Sequence, residues 1–368
     1  MPSRSIARVC HPVISIRIPG SFRPRRRLAL QLALLTGLVL GCGNGAPLTP
    51  GNTAPASPET ATPGATSAAT PSSTPAATDG PVLLGAHLAA TIPVDRAPCA
   101  LAANATSAWV TSIQTGQVDR IDPTTNSVVD RITVGGSPCG IAIGPDGRIW
   151  VAELKSGTIL AIDPLTLQVT GRIEGVGPQL WDLKSGFGSV WVVDRDAGML
   201  LRVDPVTATV SASIPIGRLG SGLAVTTSSV WVSDDADGSI RRIDPTSNAV
   251  VDSSDVGKSP SWFADDGAGR LVIARRTGGS VLVVNPATGE LGAAIDGWVQ
   301  PLDGTVFGND AWIPDGSAGT ITVLDLNVGA YLARYVLPEA VNPFVAERAF
   351  GDVWVLDFGG TTIWRLRP

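Results

Sequence analysis

Residues 139–175 read CGIAIGPDGRIWVAELKSGTILAIDPLTLQVTGRIEG. Four strand-length segments alternate here with turn chemistry. Gly140 to Ile143 is short and apolar, and Gly144-Pro145-Asp146-Gly147 supplies the residues of a tight turn. Arg148 to Leu154 forms a second strand around Trp150, and Lys155-Ser156-Gly157 turns it into a third, Thr158 to Ile162. Asp163-Pro164 opens the next turn, Pro fixing φ at its second corner, and Leu167 to Ile173 alternates as a fourth strand. Four short strands in about forty residues, without helical periodicity, are the pattern of a propeller blade.

The unit repeats along the chain. Its marker residue is Trp109, Trp150, Trp191 and Trp231, then Val272, then Trp312 and Trp354, at spacings of 41, 41, 40, 41, 40 and 42. About 13 residues after each marker comes an Asp-Pro signature: Asp122-Pro123, Asp163-Pro164, Asp204-Pro205 and Asp244-Pro245, then Asn285-Pro286, decaying to Asp325-Leu326. Seven markers predict seven second strands. The last repeat, from Pro343 to Pro368, has room for three strands only, while Leu88 to Val94 stands before Pro98 as an orphan fourth strand. The expected fold is therefore all-β: a seven-bladed propeller of four-stranded antiparallel blades over 83–368, closed by the N-terminal strand completing the last blade. Closure removes the open strand edges that an incomplete ring would expose. Large side chains recurring at one position read as core, and the Asp-Pro acids as turn caps.

The N-terminal segment reads as an address. Arg23, Arg25, Arg26 and Arg27 precede an apolar run from Leu28 to Leu40, ending in Val39-Leu40-Gly41-Cys42. At about 13 residues the run is too short to span a membrane comfortably and has the layout of a secretory signal. A Cys placed directly after the small residue resembles a bacterial lipoprotein signal. That resemblance implies removal of 1–41, acylation of Cys42, and export to the outer face of the bacterial cell membrane. Arg25-Arg26 leaves the choice between general and twin-arginine export open. Residues 42–82 are the lipidated Cys and a linker of Ala, Pro, Thr, Ser and Gly, whose composition cannot offset the entropy of ordering.

The whole chain has 368 residues, with 44% hydrophobic and 16% charged, and a formal net charge of -5. Mild acidity without a concentrated basic surface argues against nucleic acid as a partner. Nothing in the pattern implies an oligomer.

Repeats of the form Trp-Val-x5-Gly-x-Val-x-x-Ile-Asp-Pro-x-Thr, followed by Val-Gly-x-x-Pro-x-x-Ile-Ala, resemble the YVTN-type β-propeller repeats. They are also similar to the streptogramin (virginiamycin B) lyase-like propellers. The resemblance covers 83–368 and implies the fold, but propellers host many unrelated functions. Lyase activity of that type implies a catalytic His with a Glu and a magnesium ion. The two His of this chain are His11, in the signal segment, and His87, beside the orphan strand, so the catalytic His is not matched.

Two rings of positions fall where propellers meet ligands. Three residues after each marker stand Ser112, Glu153, Asp194, Asp234, Arg275, Asp315 and Asp357. The five acids are first of all turn caps by their position, and secondarily candidates for a calcium or magnesium ion, since hard cations take carboxylate oxygens. The second ring is Cys99, Cys139, Gln179, Ser221, Ser261, Leu302 and Phe344. Around it Trp181, Asp182, Trp262, Asp265, Asp266, Asp303, Glu347 and Arg348 replace otherwise small residues, with Gln179 in the ring itself, and Arg275 with Arg276 adds a positive spot; these are the candidates for ligand contact. Aromatics beside carboxylates at a central opening make either a ligand pocket or a plug. Cys99 and Cys139 hold one position in adjacent blades, which an exporting compartment would join as a disulfide or leave as two buried thiols. The expected role is a membrane-anchored, non-enzymatic module binding a small molecule, carbohydrate or protein. The competing reading is a metal-dependent lyase or hydrolase working with carboxylates.

Overall fold

The structure is a computed structural model that describes residues 82–368 except 258 and 268. The signal segment, Cys42 and the linker up to residue 81 lie outside the described residues. The rest is a ring of seven β blades. Their innermost strands are Pro98–Ala103, Pro138–Ile143, Leu180–Gly186, Gly220–Val225, Pro260–Asp265, Thr305–Phe307 and Pro343–Ala349. In each blade the chain runs outward by antiparallel steps. The marker strands follow second, and six marker Trp residues are at most 3% exposed. Val272 takes the seventh place and is equally buried. Each marker thus sits between two blades, where a large apolar side chain gains most from removal of water.

The last blade closes as its missing strand requires. Leu88–Pro93 pairs antiparallel with the final strand, Thr362–Leu366, with Thr91 opposite Trp364 and Ile92 opposite Ile363. Ile92 is fully buried among Trp354, Leu356, Ile363 and Leu101 of the first blade, whereas Thr91 and Pro93 face outward. The period-2 alternation of the orphan strand is what lets it close the ring.

Two blades depart from the repeat. The fifth ends in a two-residue strand, Ile295–Asp296, and the sixth begins with the three-residue Thr305–Phe307. A parallel bridge from Asp265 to Thr305 joins these blades into one nine-stranded sheet. An extra strand, Val82–Leu83, lies parallel to Tyr335–Val336 on the outer edge of the sixth blade. It places Leu84 in the core beside Tyr335 and Trp312.

The Asp-Pro acids cap their turns. Asp122 accepts from Thr124 N–H at 2.8 Å, Asp204 from Val206 at 2.8 Å and Asp244 from Thr246 at 2.9 Å. These bonds hold the Asp122, Asp163, Asp204 and Asp244 carboxyls below the usual carboxylate range. Arginines then tie blade to blade. Arg202 lies 5.0 Å over the Trp191 ring and donates to Pro245 O at 2.6 Å and Asn248 Oδ1 at 2.9 Å in the next blade's turn.

Candidate functional site

The walls of the central channel are the seven inner strands, and their register sets what faces it. In six blades an irregularity follows the first residue or two of the inner strand, as between Pro138 and Ile141 or Leu180 and Leu183. The extra residue lets one blade reach the next. Thr111 Oγ1 donates to Cys139 O at 2.6 Å, Ser233 Oγ to Ser261 O at 2.7 Å, and Leu223 N–H to Asp182 Oδ2 at 2.9 Å. Gly222 is required here, because a Cβ would strike Ser261 O and Trp262 Cα of the neighbouring strand.

This register shifts one sequence assignment. Leu180 pairs with Asp194 as Pro138 pairs with Glu153. The third-blade partner of Cys99 and Cys139 is therefore Trp181, and Gln179 lies two residues earlier, in the loop leading into the blade. Pro178 stands two residues before Leu180, which holds the place of Pro98 and Pro138 in their blades, and counting from Pro178 therefore misplaced the ring. Cys99 and Cys139 are joined as a disulfide with Cα atoms 5.1 Å apart.

Of the acids three residues after the markers, Asp194, Asp315 and Asp357 hold the loops that lead into their own blades, whereas Glu153 and Asp234 bond to the turns that follow them. Asp315 accepts from the N–H groups of Val299 at 2.6 Å, Gln300 at 3.0 Å and Ala318 at 3.2 Å. Asp357 accepts from Asn342 at 2.6 Å, and Asp194 from Gln179 and Ala197 at 3.3 Å each. Asp234 accepts from Ala236 at 2.9 Å and pairs with Arg241 at 3.2 Å, and Glu153 accepts from Ser156 Oγ. Arg275 does the same work with the opposite sign, donating to Val256 O at 3.3 Å and to Ser280 Oγ at 2.8 Å. Among the described residues no group of three or more His, Cys, Asp and Glu side chains is arranged to hold a metal ion.

A different set of charges meets inside the channel. The inner-strand residue opposite the marker is Ala102, Ala142, Ala224 and Ala264 in four blades and Thr305 in the sixth. In the third and seventh it is Lys184 and Glu347, and these two meet, Nζ to Oε1, at 2.7 Å. Asp182, two residues before Lys184, joins them, as do Asp265 and Asp303. One cation thus faces four carboxylates, a formal balance of -3 if all are ionised (1 - 4). Burial drives up the carboxyls of Asp182 and Asp303, Asp303 well above the usual range, with Lys184 pulling them back. Burial likewise raises Asp265, to about 6. Burial also works against the Lys184 ammonium, but attraction to Glu347, Asp303, Asp182 and Asp265 outweighs it and holds Lys184 well above its ordinary value. Water reaches all five side chains, so they line a wet channel walled closely by protein.

The two ends of the channel differ. At the ends of the inner strands a cavity of about 340 Å³ is lined by Lys184, Asp265, Glu347 and Arg348 among small residues. Arg348 donates to Asp266 O at 3.1 Å. At the opposite end, where the blades begin, a cavity of about 240 Å³ is lined by the disulfide, Trp181, Trp262, Phe344 and Phe358. Trp262 meets Phe344 edge-on at 4.9 Å, and Phe344 lies 5.1 Å from Phe358. Beside it, Asp235 is shared by Arg195 at 3.1 Å and Arg276 at 3.0 Å. Trp262 is buried and fills part of the opening, yet space remains beside it. Of the sequence candidates, Asp182, Asp265, Glu347 and Arg348 gather toward the charged end, and Trp181 and Trp262 at the aromatic end. Gln179 and Arg275 belong to loop and strand contacts. Asp303 and Arg276 also stood out in the sequence, and the structure places Asp303 among the channel charges and Arg276 at the aromatic end. Sequence reading missed Lys184 and Phe358; strict alignment of the residue facing each marker exposes Lys184 as the one basic residue in a row of Ala.

Comparison with solved structures places the ring among β-propellers. The virginiamycin B lyase from Staphylococcus aureus is 14% identical with a TM-score of 0.65, over 76% of this chain and 98% of that one. A streptogramin B lyase is 14% identical with a TM-score of 0.64, over 76% and 96%. The hydrazine synthase of Kuenenia stuttgartiensis is 15% identical with a TM-score of 0.65, over 74% and 96%. The chain is a β-propeller. At these identities the likeness shows the fold alone, and the neighbours' differing names make the same point. No protein-family model and no curated protein matches the sequence.

Proposed function

We propose that this propeller is a membrane-anchored, extracytoplasmic binding module, not an enzyme, and that it takes a small ligand in its central channel. The reading rests on one observation above all: side chains that break the repeat are concentrated on the channel, and open space remains at both of its ends. A ring held only for architecture needs Ala or Gly there, as most blades have. Charged and aromatic groups converging on a water-filled opening are the composition of a ligand site. The anchor is argued from residues 23–42, and a carbohydrate or protein partner remains within the same proposal.

Ligand-observed NMR against a fragment collection tests it. Fragments should bind the full chain, and Trp181→Ala or Glu347→Gln should weaken them. No binder, or binders indifferent to both changes, would overturn the reading.

One observation favours a lyase or hydrolase instead. Asp265, raised to about 6, lies in the range useful to a general acid or base. On that reading Asp265→Asn keeps ligand binding and abolishes turnover. A calcium or magnesium ion belongs to this alternative.

A further inference from the structure

The residue four places after the marker divides the aromatic end of the channel into two halves. It is Phe358, Ile113 and Leu154 in the seventh, first and second blades, and Arg195, Asp235 and Arg276 in the third, fourth and fifth. The first three line the 240 Å³ cavity, as does Arg276, which is the one charged side chain on its wall among the described residues. An apolar cup with a single cation in its wall has the polarity of a site for an apolar anion.

The charged half is one negative charge short. Arg195 and Arg276 approach the same oxygen, Asp235 Oδ2, at 3.1 Å and 3.0 Å, so one carboxylate serves two guanidinium groups and a formal charge of +1 remains (2 - 1). Asp234, the neighbouring acid in the chain, is taken by Arg241 at 3.2 Å. Arg195 commits a further donor to Gly220 O at 3.2 Å and lies 5.4 Å over the Trp181 ring. Arg276 donates one side-chain hydrogen bond among the described residues, to Asp235, and its side chain is 34% exposed. A guanidinium carries several N–H donors in a planar fork matched to a carboxylate, so Arg276 keeps capacity for a second carboxylate that enters the cavity. The opposite end of the channel, with four carboxylates around one cation, disfavours the same anion.

The rest of the wall selects the body of the ligand. Trp181, Trp262, Phe344 and Phe358 come from three blades and offer ring faces and edges on several sides. Aromatic walls suit a planar ring, which can stack or meet them edge-on. The volume is that of roughly eight waters, at about 30 Å³ each, which suits a single ring with one substituent.

We propose that the aromatic end of the channel is a site for a small aromatic monocarboxylate, its ring among the Trp and Phe side chains and its carboxylate on Arg276. The proposal rests on the binding-module reading and narrows it to one end and one chemistry.

Benzoate titrated into the full chain, followed by ligand-observed NMR, is the probe. It should bind with a Kd of about 1 mM or tighter, a modest demand for about nine non-hydrogen atoms. Benzamide, which keeps the ring and loses the charge, and acetate, which keeps the charge and loses the ring, should each bind at least about fivefold more weakly. Arg276→Met should weaken benzoate at least about tenfold. Asp235→Asn removes the competing carboxylate at nearly unchanged volume and should tighten benzoate about threefold or more, which a merely structural role for Asp235 would not do. Equal binding of benzamide or of acetate overturns the proposal, and so does benzoate binding unaffected in a folded Arg276→Met protein. If Arg276→Met does not fold, Asp235→Asn takes its place: tighter benzoate binding supports the proposal, and equal or weaker binding overturns it. If benzoate does not bind, this proposal falls; the channel reading stands if benzylamine binds and Glu347→Gln abolishes that binding, and falls as well if the fragment collection also yields nothing.

Discussion

Replacing Lys184 by Met removes the cation that stands among Asp182, Asp265, Asp303 and Glu347. Two unit charges about 4 Å apart attract by about 4 kcal/mol at an effective dielectric of about 20. Loss of one partner from a buried pair typically costs about 3–5 kcal/mol. Lys184 and Glu347 side chains are 27% and 26% exposed, so water screens part of this. An expected loss of about 2–3 kcal/mol at pH 7.5 follows. For the residues of 82–368, an unfolding entropy of about 2.1 cal/mol/K per residue gives about 0.6 kcal/mol/K, so Tm should fall by about 3–5 °C. The pH dependence is the sharper test. The Asp182, Asp265 and Asp303 carboxyls are raised in the fold, so they favour the folded state while protonated and oppose it as pH rises through their folded values, about 6 for Asp265. Lys184 counters that opposition only once the carboxylates are ionised. The deficit of Lys184→Met should therefore be full at pH 7.5 and clearly smaller at pH 4, where the raised Asp182, Asp265 and Asp303 carboxyls no longer call for the cation. Differential scanning calorimetry of both proteins at the two pH values measures it. A loss of the same size at both, or a loss under about 1 °C at pH 7.5, would refute the electrostatic account.

Ile92→Ala should cost about 3 kcal/mol in urea denaturation with an unchanged slope, because a fully buried branched side chain is lost from the closing strand, whereas Thr91→Ala on its outer side should stay within about 0.5 kcal/mol. Changing Cys99 and Cys139 together to Ser should lower stability by about 2–4 kcal/mol, from the 40-residue separation the bond spans, and intact mass should show no free thiol at these positions in exported protein unless reductant is added. Millimolar calcium or magnesium should move Tm by less than about 1 °C, since Asp194, Asp315 and Asp357 already accept backbone N–H groups; a shift of several degrees would show that an ion competes for them.

The blades were legible in sequence because every one repeats the same local chemistry. A buried Trp, an Asx-capped turn and a period-2 strand recur at nearly constant spacing, and the surplus strand at one end matched the deficit at the other. The channel was harder, because its chemistry lies in departures from the repeat. Trp181, Trp262, Asp265 and Glu347 stood out as large or charged among small residues. Lys184 did not, because its meaning comes from Glu347, 163 residues away across the ring. The ring of acids after the markers looked like a channel mouth in sequence. Their bonds to the lead-in loops and following turns come from a side-chain direction that spacing does not encode. Gln179 was misplaced for a related reason: Pro178 lies in the lead-in loop, two residues short of the strand-start position that Pro98 and Pro138 hold, and the marker period does not show it. The short strand Val82–Leu83 carries no alternating pattern, and only the exposed edge of the sixth blade gives it a partner.

Everything assigned to the channel requires a closed ring, with Leu88–Pro93 hydrogen-bonded to Thr362–Leu366. Amide hydrogen exchange of the full chain, resolved to these two segments, tests that closure most directly. The account predicts that the amides of Thr91 and Ile92 are protected to the same degree as those of Ile363 and Trp364, and that Ile92→Ala lowers all four together. Rapid exchange at Thr91 and Ile92 beside full protection of Thr362–Leu366 would contradict it.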